Sequence, residues 1–123
     1  MVYSKMSTKM STKKKKIENK DVQEILGELK EGLLHLYGGR FIKLILYGSY
    51  ARNDAWEGSD IDVVVLLAGE VSPMSEIDGM LDIITDINLK YNTLISVYPV
   101  SEDSLKTVKS PLLLNIQKEG ISV

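Results

Sequence analysis

The chain contains no cysteine. A disulfide scaffold, a thiol nucleophile and a thiolate metal site are therefore excluded. It has a single histidine, His35, so no histidine cluster can form. Neither sign of charge dominates. The formal net charge is -2, and nucleic acid is not expected as the primary partner. No apolar run reaches the ~18 residues that span a bilayer, so no membrane contact is expected. The N-terminus also lacks the apolar core of a secretory signal. These absences together point to a cytoplasmic protein.

What is present suits one folded unit. Of 123 residues, 44% are hydrophobic, enough for a single core. The first sixteen residues, "MVYSKMSTKMSTKKKK", carry six lysines and repeat "KMST". They read as a flexible, solvated basic arm over 1–16, ahead of one domain over 17–123.

Hydrophobic spacing lays out the elements. Val22, Ile25, Leu26, Leu29, Leu33 and Leu36 form one stripe and predict a helix over 21–37. Asp21 with Glu24 fits its N-terminus, and Gly38-Gly39 ends it. "FIKLILY" (41–47) and "DIDVVVLL" (60–67) predict mostly buried strands. A short helix is expected over 49–54. A helix beginning near "SPMSEIDG" has Ser75 as its expected cap. Its stripe is Ile77, Met80, Leu81, Ile84, Ile87 and Tyr91. "LISVYPV" (94–100) predicts a third strand, at an edge or ending at Pro99. Ser101 opens another helix. Ser110-Pro111 restarts it, Leu112, Leu113 and Ile116 pack, and Gly120 stops it. The fold class is α/β, a small mixed sheet flanked by helices.

The chemistry concentrates in "KLILYGSYARNDAWEGSDIDVVVLL" (43–67). Side chains two apart on a strand share a face, so Asp60 and Asp62 point the same way with Cα atoms ~6.5 Å apart. Two carboxylates this close repel each other and resist dehydration. A hard cation shared with phosphate oxygens compensates both costs. Gly48 gives the backbone freedom. Ser49 then opens a helix whose N–H groups and hydroxyl suit phosphate oxygens. Alone, a Gly-Ser turn or an Asp-x-Asp strand start is commonplace. Their combination between two apolar strands points to a nucleoside triphosphate site.

Gly48-Ser49-Tyr50-Ala51-Arg52, followed by Ser59-Asp60-Ile61-Asp62, closely resembles the signature of the polymerase-beta-like nucleotidyltransferase superfamily. Within it the match is to the minimal nucleotidyltransferases, antitoxins encoded beside a HEPN-type helical partner. "SPLLLNIQKEGI" is similar to that family's C-terminal helix. The resemblance implies a polymerase-beta-like nucleotidyltransferase core. It implies that Gly48 and Ser49 hold ATP or another NTP, and that Asp60 and Asp62 bind two magnesium ions. Arg52 contacts phosphate or forms an ion pair with Asp54 or Asp60. Asn53 stands where glycine is usual, and asparagine tolerates a left-handed backbone. Trp56 either stacks on a base, docks a partner or makes a plain edge contact. Tyr98 shares a face with Ser96 and borders the cleft.

One position departs from that pattern. Active members carry a third acidic residue on the third strand, where this chain places Ser96. Asp86 or Asp103 would have to substitute, the site would have to work with two carboxylates, or catalysis has been lost. The resemblance therefore implies magnesium-dependent transfer of a nucleoside monophosphate, AMP by preference, to a hydroxyl of a HEPN-type partner. The alternative is a catalytically degenerate module that neutralises its partner by contact. A chain this short has little room for an acceptor-binding domain, so a partner is expected to supply the acceptor. Self-association is left open.

Overall fold

The computed structural model describes residues 20–56, 58–107 and 110–123. The basic arm expected over 1–16 lies outside the described residues. Helix α1 (Lys20–Tyr37) buries Val22, Ile25, Leu26, Leu29 and Leu33 along one stripe. Leu36 was expected in that stripe but is 44% exposed. It falls at the border of the stripe, where Tyr37, four residues after Leu33, packs against the core instead. Strand β1 (Phe41–Tyr47) follows with the expected limits. A short helix α2 (Ser49–Arg52) then ends at Asn53, which adopts the left-handed conformation with φ 61°.

Strand β2 (Ile61–Leu67) starts one residue later than expected, so Asp60 stands just outside it. Helix α3 (Pro73–Tyr91) crosses over to strand β3 (Ile95–Ser101). The cap of α3 is Ser72 rather than Ser75, with Pro73 in the first turn. Proline suits that position because its missing N–H has no helical partner there. The Glu76 carboxylate accepts from the Ser72 N–H at 3.5 Å. Leu81, expected to pack, faces solvent, while Ile83 packs against the core instead.

Helix α4 (Glu102–Thr107) is capped by Ser101, whose Oγ accepts from the Ser104 N–H at 3.0 Å. Helix α5 (Pro111–Glu119) is capped by Ser110, whose Oγ accepts from the Leu113 N–H at 3.1 Å. It buries Leu113 and Ile116, but Leu112, expected to pack, is exposed. A final two-residue strand β4 (Ile121–Ser122), not anticipated from sequence, pairs antiparallel with β1.

The sheet runs β3-β2-β1-β4. β1 lies antiparallel to β2 and β4, and β2 lies parallel to β3. Pro99 therefore sits on an edge strand, as its missing donor requires. Alternation along the strands divides the core in two. Leu44, Leu46, Ile61, Val63, Val65 and Leu67 pack against α1 and α3. Ile45 and Val64, on the opposite face, pack against Leu113 and Ile116 of α5. Gly32 permits α1 and α3 to approach: a Cβ there would lie 3.0 Å from Ile83 Cγ2. The sheet is thus fixed between helical layers, and its strand ends can hold side chains in a defined register.

Leu29 is fully buried and Leu36 is not. Leu29→Ala is expected to lower the unfolding free energy by about 2–5 kcal/mol. Leu36→Ala should change it by about 0.5 kcal/mol or less. Urea unfolding of the two variants measures both.

Candidate active site

Strand pairing builds the site. Asp62 is the second residue of β2 and stands opposite Tyr47 of β1 and Ser96 of β3. Directly paired residues share a face, so Tyr47, Asp62 and Ser96 form one row across three strands. The next row on that face is Ile45, Val64 and Tyr98. The Tyr47 and Tyr98 rings meet edge-to-face, with centroids 5.8 Å apart. The start of β2 is tied down by the Ile61 N–H, which donates to the Leu94 carbonyl at 2.9 Å.

Gly48 follows Tyr47 with φ 75°. A Cβ built there would lie 2.5 Å from Asp62 Oδ2, so this position requires glycine on two counts: backbone conformation and space. The sequence placed Gly48 in a turn. That the turn presses on the Asp62 carboxylate needed the antiparallel register. Ser49 opens α2, and the Gly48 carbonyl accepts from the Ala51 and Arg52 N–H groups at 3.1 Å each.

Electrostatics mark Asp62. Burial, and then the negative charge of Asp60, push its carboxyl above the ordinary value, while Arg52 opposes the shift. Asp60 is the exposed member of the pair. Arg52 forms the expected ion pair with Asp54, Nε to Oδ2 at 3.1 Å. A second pair, Nη1 to Glu119 Oε1 at 3.4 Å, links α2 to α5. No local pattern had singled out Glu119. Tyr47 was also missed as a site residue. Burial, with Tyr98 and Asp62 nearby, pushes its hydroxyl far up.

Ser96 lies beside Asp62, as the strand assignment placed it. Asp86 is exposed on α3, which packs on the sheet face opposite Asp62. Asp103 follows Ser101 at the far end of β3, about 16 Å along the strand from Ser96. Neither joins the row. Among the described residues, no three His, Cys, Asp or Glu side chains gather as a metal-holding group. Two carboxylates nonetheless fit magnesium, which is commonly held by one or two carboxylates with waters and substrate phosphates. The raised Asp62 pKa reflects burial first and the negative charge of Asp60 second, and a hard cation offsets both.

A cavity of about 840 Å³ adjoins the site through Asp60. Tyr50, Trp56, Ser59 and Asn92 help line it, and among the described residues no lysine or arginine does. Trp56 is 81% exposed. Its turn is held by two bonds, the Trp56 N–H to Ser59 Oγ and the Ser59 N–H to the Trp56 carbonyl, each 3.0 Å.

A four-stranded mixed sheet between helical layers, with a glycine turn pressed against Asp62, defines a domain of the α/β class. The chain belongs to the nucleotidyltransferase domain family, whose sequence model matches residues 26–108. It is 36% identical over 104 residues to the "Putative protein adenylyltransferase MJ0604" of Methanocaldococcus jannaschii, covering 84% of this chain and 94% of that one. Among solved structures it resembles a chain of a toxin–antitoxin with AMP-PNP. That likeness has a TM-score of 0.54 and 17% identity over 76% of this chain and 68% of that one. It also resembles a chain of the Shewanella oneidensis complex of tri-AMPylated HEPN toxin with MNT antitoxin. There the TM-score is 0.50 and identity 14%, over 83% of this chain and 67% of that one. At such identities the structural likenesses speak for the fold.

Two outcomes test this site. Gly48→Ala should cost about 1–3 kcal/mol of stability, because it combines a positive φ with a clash. Equilibrium urea unfolding reads this directly. Asp62 also sets a pH dependence. Its folded-state pKa is raised, so the folded chain holds the proton more tightly than the unfolded chain. Stability then falls as pH rises from the ordinary value of 3.8 through the folded pKa. Without divalent cations, Asp62→Asn should be more stable than the wild type above that window and equal to it below. Denaturation midpoints across pH would show the curves converging in acid.

Proposed function

We propose that this chain transfers AMP from ATP to a hydroxyl of a helical, HEPN-type partner protein. The observation that carries this reading is the Gly48 backbone packed against the Asp62 carboxylate, with Asp60 beside it. Only a residue without a side chain lets the turn that opens α2 come this close to the carboxylate. Family membership and the named adenylyltransferase relative support the reaction class. The likeness to a complex containing an AMPylated HEPN toxin supports the partner class.

In this reading Gly48 and Ser49 cradle the β- and γ-phosphates. Asp60 and Asp62 would hold magnesium, which would supply positive charge to neutralise the developing negative charge of the reaction. Arg52 adds positive charge on the cradle side, held in place by Asp54 and Glu119. The acceptor oxygen forms a bond to the α-phosphorus as the bond to the bridging oxygen of the β-phosphate breaks. Pyrophosphate leaves, and the acceptor proton passes to solvent. Ser96 stands beside Asp62, at the position where the family pattern leads to the expectation of a third carboxylate. Hydroxyl deprotonation therefore lacks a protein base here. That absence also favours a second reading, an antitoxin that neutralises its partner by contact alone.

Calorimetry with ATP and magnesium chloride separates the two. Binding should be metal-dependent and lost when Asp60→Asn and Asp62→Asn are combined. Label from α-labelled ATP should then appear on the co-expressed helical partner. No binding by the wild type at millimolar ATP would remove the enzyme and leave the contact antitoxin.

A further inference from the structure

Charge is divided unevenly along the chain. All 17 acidic residues lie beyond position 16, while six of the 15 basic residues lie within 1–16. The cavity beside Asp60 shows the same imbalance. Its wall carries two carboxylates, Asp21 and Asp60, and three aromatic rings, Tyr50, Trp56 and Tyr91. Among the described residues no lysine or arginine lines it, and neither carboxylate forms an ion pair. The Tyr91 hydroxyl donates to Glu28 of α1, which fixes one part of the wall. Trp56 is 81% exposed, so a large apolar ring stands uncovered there. Carboxylates attract cations, and an aromatic face attracts a cation held within about 6 Å of its centre. Such a wall suits an ammonium group on an aliphatic stem, since the stem covers ring surface while the head meets the carboxylates.

The chain enters the described structure at this cavity. Helix α1 starts at Lys20, and Asp21 and Val22 of its first turn line the wall. Residues 13–16 are consecutive lysines. An extended chain spans at most roughly 14 Å from Lys16 to Lys20, and roughly 25 Å from Lys13 to Lys20. A tether that short gives an effective concentration on the order of millimolar, which favours the chain's own lysines over those of a second copy. We propose that the lysine run 13–16 docks in this cavity, with its ammonium groups against Asp21 and Asp60 and its aliphatic stems on the Trp56 ring. The docked run covers Asp60, the exposed member of the carboxylate pair, and so couples the N-terminal segment to the candidate active site. The docking needs neither nucleotide nor magnesium and stands apart from the transferase reading.

Trp56 is the only tryptophan of the chain, so tryptophan fluorescence reports on this cavity alone. The test compares the full wild-type chain with a full chain carrying Lys13→Gln, Lys14→Gln, Lys15→Gln and Lys16→Gln together, at low ionic strength and without nucleotide. The wild type should emit at shorter wavelength and be quenched less by acrylamide. At about 1 M sodium chloride, where screening acts beyond ~3 Å, the two proteins should coincide. In a background of Asp21→Asn with Asp60→Asn, the glutamine substitutions should have no further effect. Identical emission and quenching of the two proteins at low salt overturn the inference. A difference that persists in the Asp21→Asn, Asp60→Asn background puts the lysines elsewhere and overturns the cavity as their site. A difference that grows with protein concentration assigns the lysines to a second copy and overturns the tethered docking. Metal-free ATP that protects Trp56 from acrylamide equally in both proteins shows a cavity open to a nucleobase and overturns the lysine run as its occupant.

Discussion

Two negative charges held together at the end of a buried strand are the constraint around which this domain is organised. Asp62 is half-buried, and its carboxyl is pushed up first by dehydration and then by Asp60. Nothing in the core gains from that arrangement. It persists because the strand carrying it is secured on both faces. Ile61, Val63 and Val65 are buried against α1 and α3, and Val64 is buried against α5. Burial of such side chains is worth about 1.5–3 kcal/mol each. A few of them outweigh the repulsion of one half-exposed pair. The local geometry then follows. Gly48 can have no side chain because the carboxylate occupies that space. Arg52, moderating the charge, is held at its post by Asp54 and Glu119.

How legible each part was depended on whether its signal was local. The limits of β1 could be read because "FIKLILY" is apolar, β-rich and followed by glycine. Asp60 and Asp62 were legible as a pair for the same reason. Placing Ser96 beside Asp62 needed the third strand's position, and the parallel register agrees. The cap of α3 was misplaced because two serines flank Pro73. The choice between Ser72 and Ser75 turns on proline's preference for the first turn. Leu36, Leu81 and Leu112 follow helical spacing but fall at the borders of their stripes. Spacing cannot show where a neighbouring helix ends. β4 is two residues long and has no periodicity to detect. The contacts of Tyr47 with Tyr98 and of Arg52 with Glu119 are products of tertiary register and were invisible for that reason.

The same register separates the two ends of the molecule chemically. Both halves of the nucleotide signature lie where β1 ends and β2 begins, since antiparallel pairing sets Tyr47 against Asp62. The parallel partner β3 brings its own first residues to that end. Every strand terminus that can carry a polar side chain into the cleft therefore arrives at one place. The opposite end is closed by Arg40, whose guanidinium donates to the Ala68 and Glu70 carbonyls at 3.1 and 2.8 Å. One end of the sheet is thus stitched by a side chain to backbone, while the other holds unpaired carboxylates at the surface.

This asymmetry bears on the choice between a transferase and a module that acts by contact. A protein that only covered its partner would be served by any stable surface. It would gain nothing from a carboxylate forced above its ordinary pKa or from a glycine forced into a positive φ. The raised carboxyl pKa reflects a cost in stability, and the glycine turn lies within a few ångströms of it. In the transferase reading proposed above, a cation-bound polyphosphate would offset that cost. Ser96 does not reverse that argument: it adds no acid beside Asp62 and leaves the contact of the Gly48 turn with the Asp62 carboxylate unchanged.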